Sequence, residues 1–351
     1  MIELLWITKD QTFDITDYVQ QITWKGAKNT APRSIEVNIV NSGKGLHQKL
    51  GIKEGQILLF KWKGVELFRG IIFSQGKSKS ASQSIKAYDL VIYMVKNRKS
   101  YVFSNQKASE IIKRLCNDFQ IPMGNIKDTG YKIPSLVVDG ETLYDIAYKA
   151  IYATFKHTGK RFHLRTEQGK VNLVEKKDTV RQWVIEDGVN LLDYNYETSI
   201  EDSASSVVMV AGEEKKAITI SKTDNGLTKS FGVIQHYEKV ADKLNKAQLQ
   251  ERVNQTLADK GKIQKKFSLD ALGIYPVITG TAIHVIARDL GIAKGYYVED
   301  DSHTFKGNSH TMSLTLSETD ELEPVEIQTA EKKEAKKNDK SNKKSSSRSE
   351  R

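Results

Sequence analysis

The sequence predicts a mainly β protein that carries an α+β insertion and ends in a disordered charged tail. Three observations predict this class. Short segments that alternate polar and apolar residues occupy both the first and the last third of the chain. Two segments of helical periodicity lie between them, and the final residues are rich in Lys, Glu and Ser. At 351 residues the chain is long enough for two or three domains.

Residues 1–97 are predicted to form the first β domain. Residues 34–40 alternate apolar and polar side chains at period two, as a half-buried strand does. Similar segments follow at 56–62, 66–73 and 84–90, and polar or glycine-containing turns separate them. Several short strands joined in this way are typical of a small barrel or sandwich.

Residues 98–185 are predicted to form a compact module of two helices and a hairpin. The first helix is indicated by one apolar stripe, Ala108, Ile111, Ile112, Leu115 and Phe119. Ser104 or Asn105 is the predicted cap at its start. The second helix is indicated by Leu143, Ile146, Ala147, Ala150 and Ile151. A hairpin with Gly169 in its loop follows.

Residues 186–323 are predicted to form a second β domain, which one long helix at about 241–262 interrupts. This region opens with an Asp193-Tyr194 pair, as the first region does with Asp17-Tyr18, and both regions end in an alternating strand. Duplication of one domain and chance similarity between two β domains both account for this likeness.

Residues 324–351 are predicted to be a disordered basic tail. From Glu326 to Arg351 nine Lys or Arg residues stand against five acids, a surplus of four. The net charge of +10 therefore leaves a surplus of six for the rest of the chain, a mild excess. Because the tail has little apolar surface to bury, we expect it to stay disordered.

Motifs of enzymatic catalysis are missing from the sequence, so no catalytic residue and no cofactor is predicted. The chain contains no phosphate-binding P-loop, no Gly-x-Ser-x-Gly elbow and no His-Glu-x-x-His helix. Cys116 is the only cysteine, which excludes an internal disulfide, and its place on the apolar stripe predicts a buried structural thiol. The sequence also lacks the run of about 20 apolar residues that a membrane helix needs, and its first residues do not resemble a secretory signal.

His303 and His310 are the two candidate metal ligands. If Lys306-Gly307 forms a two-residue turn, the two imidazoles face each other across a hairpin, close to the acids at 299–301. An exposed polar hairpin tip or a subunit contact explains the same residues without a metal. An explanation without a metal is simpler, so no metal site is predicted.

Two other classes of protein stay open at this point. A cell-wall hydrolase needs two carboxyl groups across a cleft, but acids such as Glu213-Glu214 are too widely scattered to identify such a pair. A nucleic-acid-binding protein would interleave aromatic residues with basic clusters such as those at 77–79, 96–99 and 260–266. Solvated surfaces explain these clusters more simply.

The order of these parts and the amino-acid sequences of particular segments resemble those of a known family. The segments are residues 86–90 running into 108–112 and Cys116, residues 140–147, and residues 298–316. They are similar to the baseplate hub proteins of contractile-tailed phages and defective prophages of Gram-positive bacteria, within the late-control-protein-D group. The likeness covers nearly the whole chain except the tail.

This resemblance implies a structural role without catalysis. Such hubs are homotrimers whose two tube-like β domains form a pseudo-hexameric ring, which adapts the six-fold tail tube to the three-fold spike. The implied partners are the tail tube protein, the central spike protein, other baseplate subunits and the tape measure protein, with no membrane and no nucleic acid. The implied location is the tail baseplate of a virion that is assembled in the host cytoplasm.

Overall fold

The computed structural model describes residues 1–28, 30–42, 49–79, 81–176, 183–212, 217–240, 244–320, 322 and 325. This part of the chain forms two compact units. The first combines Met1–Asp193 with the chain from Leu269 onward, and the second is Tyr194–Ser268. None of the helices in the described part has the length and apolar content that a membrane-spanning helix needs.

Seven strands from the N-terminal part of the first unit lie in one antiparallel sheet. They are β1 (Ile2–Ile7), β2 (Thr12–Asp14), β3 (Val19–Ala27), β4 (Thr30–Val40), β5 (Ile57–Trp62), β6 (Val65–Lys77) and β7 (Ser82–Tyr88). Their order across the sheet is β3-β4-β7-β6-β5-β1-β2. Alternate side chains of β4, Ile35, Val37 and Ile39, are fully buried in the core of this sheet, as the period of two predicted.

The α+β module follows directly. Its elements are α1 (Val91–Lys96), β8 (Arg98–Lys107), α2 (Ala108–Asp118), β9 (Met123–Ile126), β10 (Lys132–Thr142), α3 (Leu143–Thr158), β11 (Phe162–Glu167) and β12 (Lys170–Glu175). The predicted stripes of both helices are buried in one core, which consists of residues between Leu90 and Leu173. Each large aliphatic side chain buried there contributes about 1.5–3 kcal/mol.

The starts of the two predicted helices, α2 and α3, follow from local chemistry, but the predicted cap of α2 is wrong. Helix α3 begins after Thr142, whose hydroxyl accepts a hydrogen bond from the Asp145 backbone N–H at 3.0 Å. Helix α2 begins after Lys107, whose backbone N–H donates to the Glu110 carboxylate at 2.9 Å. Ser104 and Asn105 instead lie inside β8, because β8 pairs with β10 as far as Lys107.

The chain enters the second unit within a strand and leaves it within another. The elements from the end of the module onward are β13 (Trp183–Glu186), β14 (Leu191–Ser199), β15 (Ser206–Ala211), β16 (Ile218–Thr223), α4 (Asn225–Phe231), β17 (Gln235–Val240), α5 (Lys246–Lys260) and β18 (Gln264–Leu272). The predicted long helix is α5, and α4 was not predicted. Residues 241–243 and the pair Glu213-Glu214 lie outside the described residues.

The second unit has a hydrophobic core of its own. Its sheet has the order β16-β15-β17, with β15 and β17 parallel. Leu249, Val253 and Leu257 from α5 pack against Val207 and Met209 of β15. Their spacing of four residues along α5 puts all three side chains on one helix face, which explains why this helix packs against the sheet.

The last three strands join the N-terminal sheet. They are β19 (Ala282–Ala287), β20 (Ile292–Lys306) and β21 (Ser309–Ser317). Strand β20 pairs with β21 on one side and antiparallel with β3 on the other, with Phe305 opposite Ile22. Strand β19 pairs with another part of β20, and β13 lies parallel to β19. The strands at the two ends of the sequence thus share one sheet.

The mainly β fold with an α+β insertion is confirmed, whereas the domain boundaries 1–97, 98–185 and 186–323 remain predictions. The two compact units divide the chain at other places, and β20 continues the N-terminal sheet. The suspected repeat loses one of its markers, because Asp17-Tyr18 lies in a short helical turn and Asp193-Tyr194 in β14. The predicted tail, 324–351, lies outside the described residues except for Val325.

Candidate functional site

The strand pair β3–β20 and the adjacent strand β4 enclose a buried ion pair. Gly26 of β3 lies opposite Asp301 of β20, and Arg33 of β4 fills the space that the missing side chain of Gly26 leaves. A Cβ atom on Gly26 would lie 2.4 Å from Nη1 of Arg33, too close for any real contact. A side chain at position 26 would therefore force the Arg33 guanidinium out of this place.

Arg33 and Asp301 form a two-pronged salt bridge, and this pair is called the clasp below. Nη1 of Arg33 donates to Oδ1 of Asp301 at 2.8 Å, and Nη2 donates to Oδ2 at 2.5 Å. Oδ1 of Asp301 also accepts hydrogen bonds from the backbone N–H and the hydroxyl of Thr279, at 2.6 and 2.7 Å. The side chain of Asp301 has no exposed surface and that of Arg33 is 18% exposed.

The charge of Asp301 is stabilised although it is buried. Burial by itself would raise the pKa of this carboxyl, but the Arg33 guanidinium and the Thr279 N–H hold the pKa below its ordinary value. The guanidinium carbon of Arg33 also lies 4.1 Å from the centre of the Trp24 ring, a cation–π contact. The clasp joins segments that are 268 residues apart in the sequence.

Asp89 connects the clasp to the α+β module. Its Oδ2 accepts a hydrogen bond from the Arg33 backbone N–H at 3.2 Å, and its own backbone N–H donates to the Arg33 carbonyl at 3.0 Å. Oδ1 accepts from the Val91 N–H at 3.0 Å, in the first turn of α1. Burial raises the pKa of Asp89 to about 7, against the opposing effect of these hydrogen bonds.

The two candidate metal ligands lie beside the clasp, in a register that differs from the predicted one. The turn is Gly307-Asn308, so His303 is opposite Met312 and His310 is opposite Phe305. The imidazoles still meet diagonally, with Nδ1 of His303 3.0 Å from Nε2 of His310. The prediction of an exposed hairpin tip is wrong for His303, which has no exposed surface because β3 and the segment around Val277 cover it.

The hydrogen bonds determine the tautomers of both rings. Nε2 of His303 lies 2.9 Å from the carbonyl oxygen of Val277, which can only accept, so this nitrogen carries the proton. Nδ1 of His303 is then the acceptor, and Nε2 of His310 is the donor. Burial lowers the pKa of His303 to about 4 and, together with the neighbouring His303 and Lys63, that of His310 to about 3, so both rings are neutral at pH 7.

These contacts limit the chemistry that the site can perform. In the part of the chain that the structure describes, no group of three or more His, Cys, Asp or Glu side chains has the geometry to hold a metal ion. A metal at His303 would have to replace the hydrogen bonds described above. Cys116 is buried in the core of the module, and burial raises the pKa of its thiol to about 11, which makes it a poor nucleophile.

Sequence reasoning found the two histidines but missed the residues that hold the site together. Arg33, Thr279 and Gly26 stood out by no motif, and Asp89 was noted only within the segment 86–90. The signal that was available is Asp89, which is a charged residue at the end of an otherwise alternating strand. The geometry describes a structural joint in which Arg33, Asp301, Thr279 and the two histidines bond to one another, while Nε of Arg33 and Nε1 of Trp24 are buried without a hydrogen-bond partner. It positions no nucleophile.

The fold as a whole is that of prophage tail proteins. The 43 kDa tail protein of prophage MuSo2 from Shewanella oneidensis has a TM-score of 0.65 at 14% identity, over 90% of this chain and 98% of that one. The c3393 protein of E. coli, a component of the type VI secretion system with structural similarity to the T4 tail proteins gp27 and gp5, has a TM-score of 0.52 at 12% identity. That match covers 89% of this chain and 77% of the other.

Sequence similarity identifies the family. The family model described as YqbQ-like matches residues 22–317. The protein YqbQ of Bacillus subtilis is 40% identical over 324 residues, 92% of this chain and 98% of YqbQ. The protein XkdQ of the phage-like element PBSX of Bacillus subtilis is 40% identical over 320 residues, 91% of this chain and 97% of XkdQ. The chain belongs to the YqbQ-like family, and the resemblance seen in the sequence is confirmed.

Proposed function

We propose that this protein is the baseplate hub of a contractile phage-type tail, a structural subunit without catalytic activity. The hub is a homotrimer that forms a pseudo-hexameric ring between the tail tube and the central spike. The observation that carries the proposal is the sheet that both ends of the chain share, in a fold found in prophage tail proteins. Such a sheet gives each subunit an extended β surface that can face the tail tube in a ring of subunits.

A surface suited to subunit contact lies at the start of the second half of the chain. Val184, Val189, Leu192 and Leu272 are exposed by 45–67%. Asn190 links their segments, because its side-chain amide donates to the Val184 carbonyl and its backbone carbonyl accepts from the Leu272 N–H. Four large apolar side chains exposed in one region are typical of an interface. We assign this surface, called the 184–272 patch, to the contact between neighbouring subunits.

The partners and location follow from the same proposal. The tail tube protein binds one face of the ring, the spike binds the other, and further baseplate subunits and the tape measure protein complete the assembly. The protein then resides in the tail baseplate of a virion or tail-like particle that is assembled in the host cytoplasm. The prophage origin of the tail protein from Shewanella oneidensis and the phage-like element that encodes XkdQ support this setting.

Light-scattering mass tests the trimer. The protein should be measured alone and co-expressed with the tube and spike proteins encoded beside it, and we expect a species of three times 39.6 kDa. Averaged electron micrographs should show a ring with pseudo-six-fold features. A monomer in every combination would contradict the hub assignment, and release of cell-wall fragments by the pure protein would contradict the absence of catalysis.

A pair of matched variants tests the 184–272 patch. Val189 and Val102 are both exposed valines, at 67% and 63%, and only Val189 belongs to the patch. Val189→Asp should reduce the trimer to a monomer because it places a charge in an apolar contact, whereas Val102→Asp should leave the mass unchanged. If both variants lost the trimer, the 184–272 patch would not be the contact between subunits.

A further inference from the structure

The carboxylate of Asp320, in the chain that follows β21, contacts the α+β module. Oδ2 of Asp320 accepts a hydrogen bond from Nη1 of Arg161 at 2.9 Å, and Oδ1 lies 2.5 Å from Nζ of Lys176. The side chain of Asp320 is only 9% exposed, that of Lys176 is 16% exposed, and that of Arg161 is 34% exposed. The contact lies in an open cleft, which Gly159, Lys160, Glu175 and Tyr297 also line.

The hairpin β11–β12 brings the two cations together without help from Asp320. Phe162 is opposite Glu175 at the open end of this hairpin, and the Lys176 N–H donates to the Arg161 carbonyl at 2.8 Å. Arg161 and Lys176 are therefore neighbours because of the strand register. The register places two positive charges side by side, which is unfavourable unless an anion lies between them.

Aromatic rings orient both cations. Nζ of Lys176 lies 5.1 Å from the centre of the Tyr297 ring, and the guanidinium carbon of Arg161 lies 5.3 Å from that of Phe155. Burial lowers the pKa of Lys176, and the Asp320 carboxylate opposes this effect. A partly buried ammonium group of this kind gains more from an anion than an exposed one does.

Asp320 is held less firmly than the buried Asp301 of the clasp. Asp301 lies within β20 and accepts hydrogen bonds from Arg33 and from the backbone and hydroxyl of Thr279. Asp320 lies three residues beyond the end of β21 at Ser317. It can therefore leave the two cations without the loss of a strand pair.

We propose that Arg161 and Lys176 form a carboxylate-binding site in which Asp320 is the resident ligand, and that an acidic side chain of a protein partner can replace it. The aspartate then acts as a latch that holds the segment after β21 on the module until an acidic segment competes for the two cations. This proposal does not depend on the assignment of the protein as a hub.

The test uses the full chain and a matched control. Asp320→Asn keeps the size of the side chain and removes its charge. Glu318→Gln removes the charge of a neighbouring acid whose ion pair, with Lys294 at 2.7 Å, is 40–45% exposed. The probe is a fluorescent, amidated peptide with the sequence of residues 316–320, and a second peptide carries Asn in place of its Asp. Binding is measured by fluorescence anisotropy at low salt.

We expect the Asp320→Asn chain to bind the Asp peptide at least tenfold more tightly than the wild type or the Glu318→Gln chain does. The Asn peptide should not bind, and Lys176→Met added to Asp320→Asn should abolish binding. Equal binding by all three chains, or none by Asp320→Asn, would overturn the proposal. Stronger displacement of the peptide by inorganic phosphate than by acetate would overturn the assignment to a carboxylate.

A measurement on the wild type covers the case in which Asp320→Asn does not fold. At high peptide concentration the amide resonances of Arg161 and Lys176 should shift in a saturable way with the Asp peptide. They should not shift with the Asn peptide. Identical shifts with both peptides would overturn the proposal.

Discussion

The α+β module and the clasp both hold separate chain segments together, but they do so by different kinds of interaction. The module encloses an apolar core that comes almost entirely from residues between Leu90 and Leu173, so its contacts are short in sequence. The clasp joins β4 to β20 with a buried ion pair between residues 268 apart in the chain. One region depends on hydrophobic burial and the other on the matching of two charges.

This difference separates stability from specificity. Apolar packing is non-directional, and many side chains of similar volume satisfy it. A buried charge is costly without its partner, so an ion pair in a sheet penalises every register except the one that brings the partners together. We therefore infer that the module core supplies stability and that the clasp determines which strand pairs with β3.

The largest expected effect comes from breaking the clasp. Asp301→Ala leaves the buried Arg33 guanidinium without its carboxylate, and we expect a loss of about 3–5 kcal/mol in the free energy of unfolding. Urea denaturation of the purified chain measures it. A loss below about 1 kcal/mol would show that water or another side chain replaces Asp301 and that the clasp does not determine the pairing.

The next effect is a pH dependence that arises beside the clasp. Because the pKa of Asp89 is about 7 in the folded protein and 3.8 in an unfolded chain, the folded state binds the extra proton between these values. The contribution of Asp89 to stability is then complete below about pH 4 and falls as the pH rises to 7, by on the order of 4 kcal/mol. Asp89→Asn should remove most of this fall in denaturation curves taken from pH 5 to 7. An unchanged slope would assign it to other groups.

A substitution in the core of the α+β module measures the loss of stability when apolar packing, rather than an ion pair, is removed. Leu115 of α2 is fully buried, and Leu115→Ala should cost about 2–5 kcal/mol because it removes apolar contacts and leaves a cavity. Lys113→Ala, on the exposed side of the same helix, should change stability by less than about 0.5 kcal/mol. Thermal and urea denaturation measure both variants. Equal effects would show that the helix is not anchored through its apolar stripe.

The smallest effect belongs to a second ion pair on the strands of the clasp. Nζ of Lys28 lies 3.2 Å from Oε1 of Glu299, and the two side chains are 26% and 35% exposed. Since solvent screens this pair, Glu299→Gln should cost at most about 1 kcal/mol. Glu299 is only two residues from Asp301, so the two variants compare exposed and buried pairs in one sheet. A loss of stability equal to that of Asp301→Ala would show that burial does not determine how much an ion pair contributes.

The sequence predicted what is local and missed what depends on distant partners. The stripe that begins at Ala108 matches α2 (Ala108–Asp118), and the long helix expected at about 241–262 is α5 (Lys246–Lys260). Helical periodicity needs only neighbours within a few residues, so it can be read directly. The pairing of β8 with β10 was not predicted, because it joins residues that are not neighbours in the sequence.

The candidate site shows the same limit. His303 and His310 were identified as neighbours, but the assumed turn was shifted by one residue, which changed the predicted partner of each. Arg33 and Asp301 carried no mark of their contact, since each is an ordinary charged residue in an alternating strand. Their pairing follows from the position of β20 next to β3, and no local sequence pattern predicts that position.

The position of β20 has a consequence for the time during which the chain is synthesised. Strand β3 ends at Ala27, and its neighbour β20 begins only at Ile292. At roughly 5–20 residues per second, a ribosome needs on the order of 10 to 60 seconds to make the intervening chain. Through that interval one edge of β3 has no native neighbour, and an unpaired edge can bind a strand of another nascent chain. We therefore expect this protein to be most prone to misassembly where many ribosomes translate one messenger RNA at the same time.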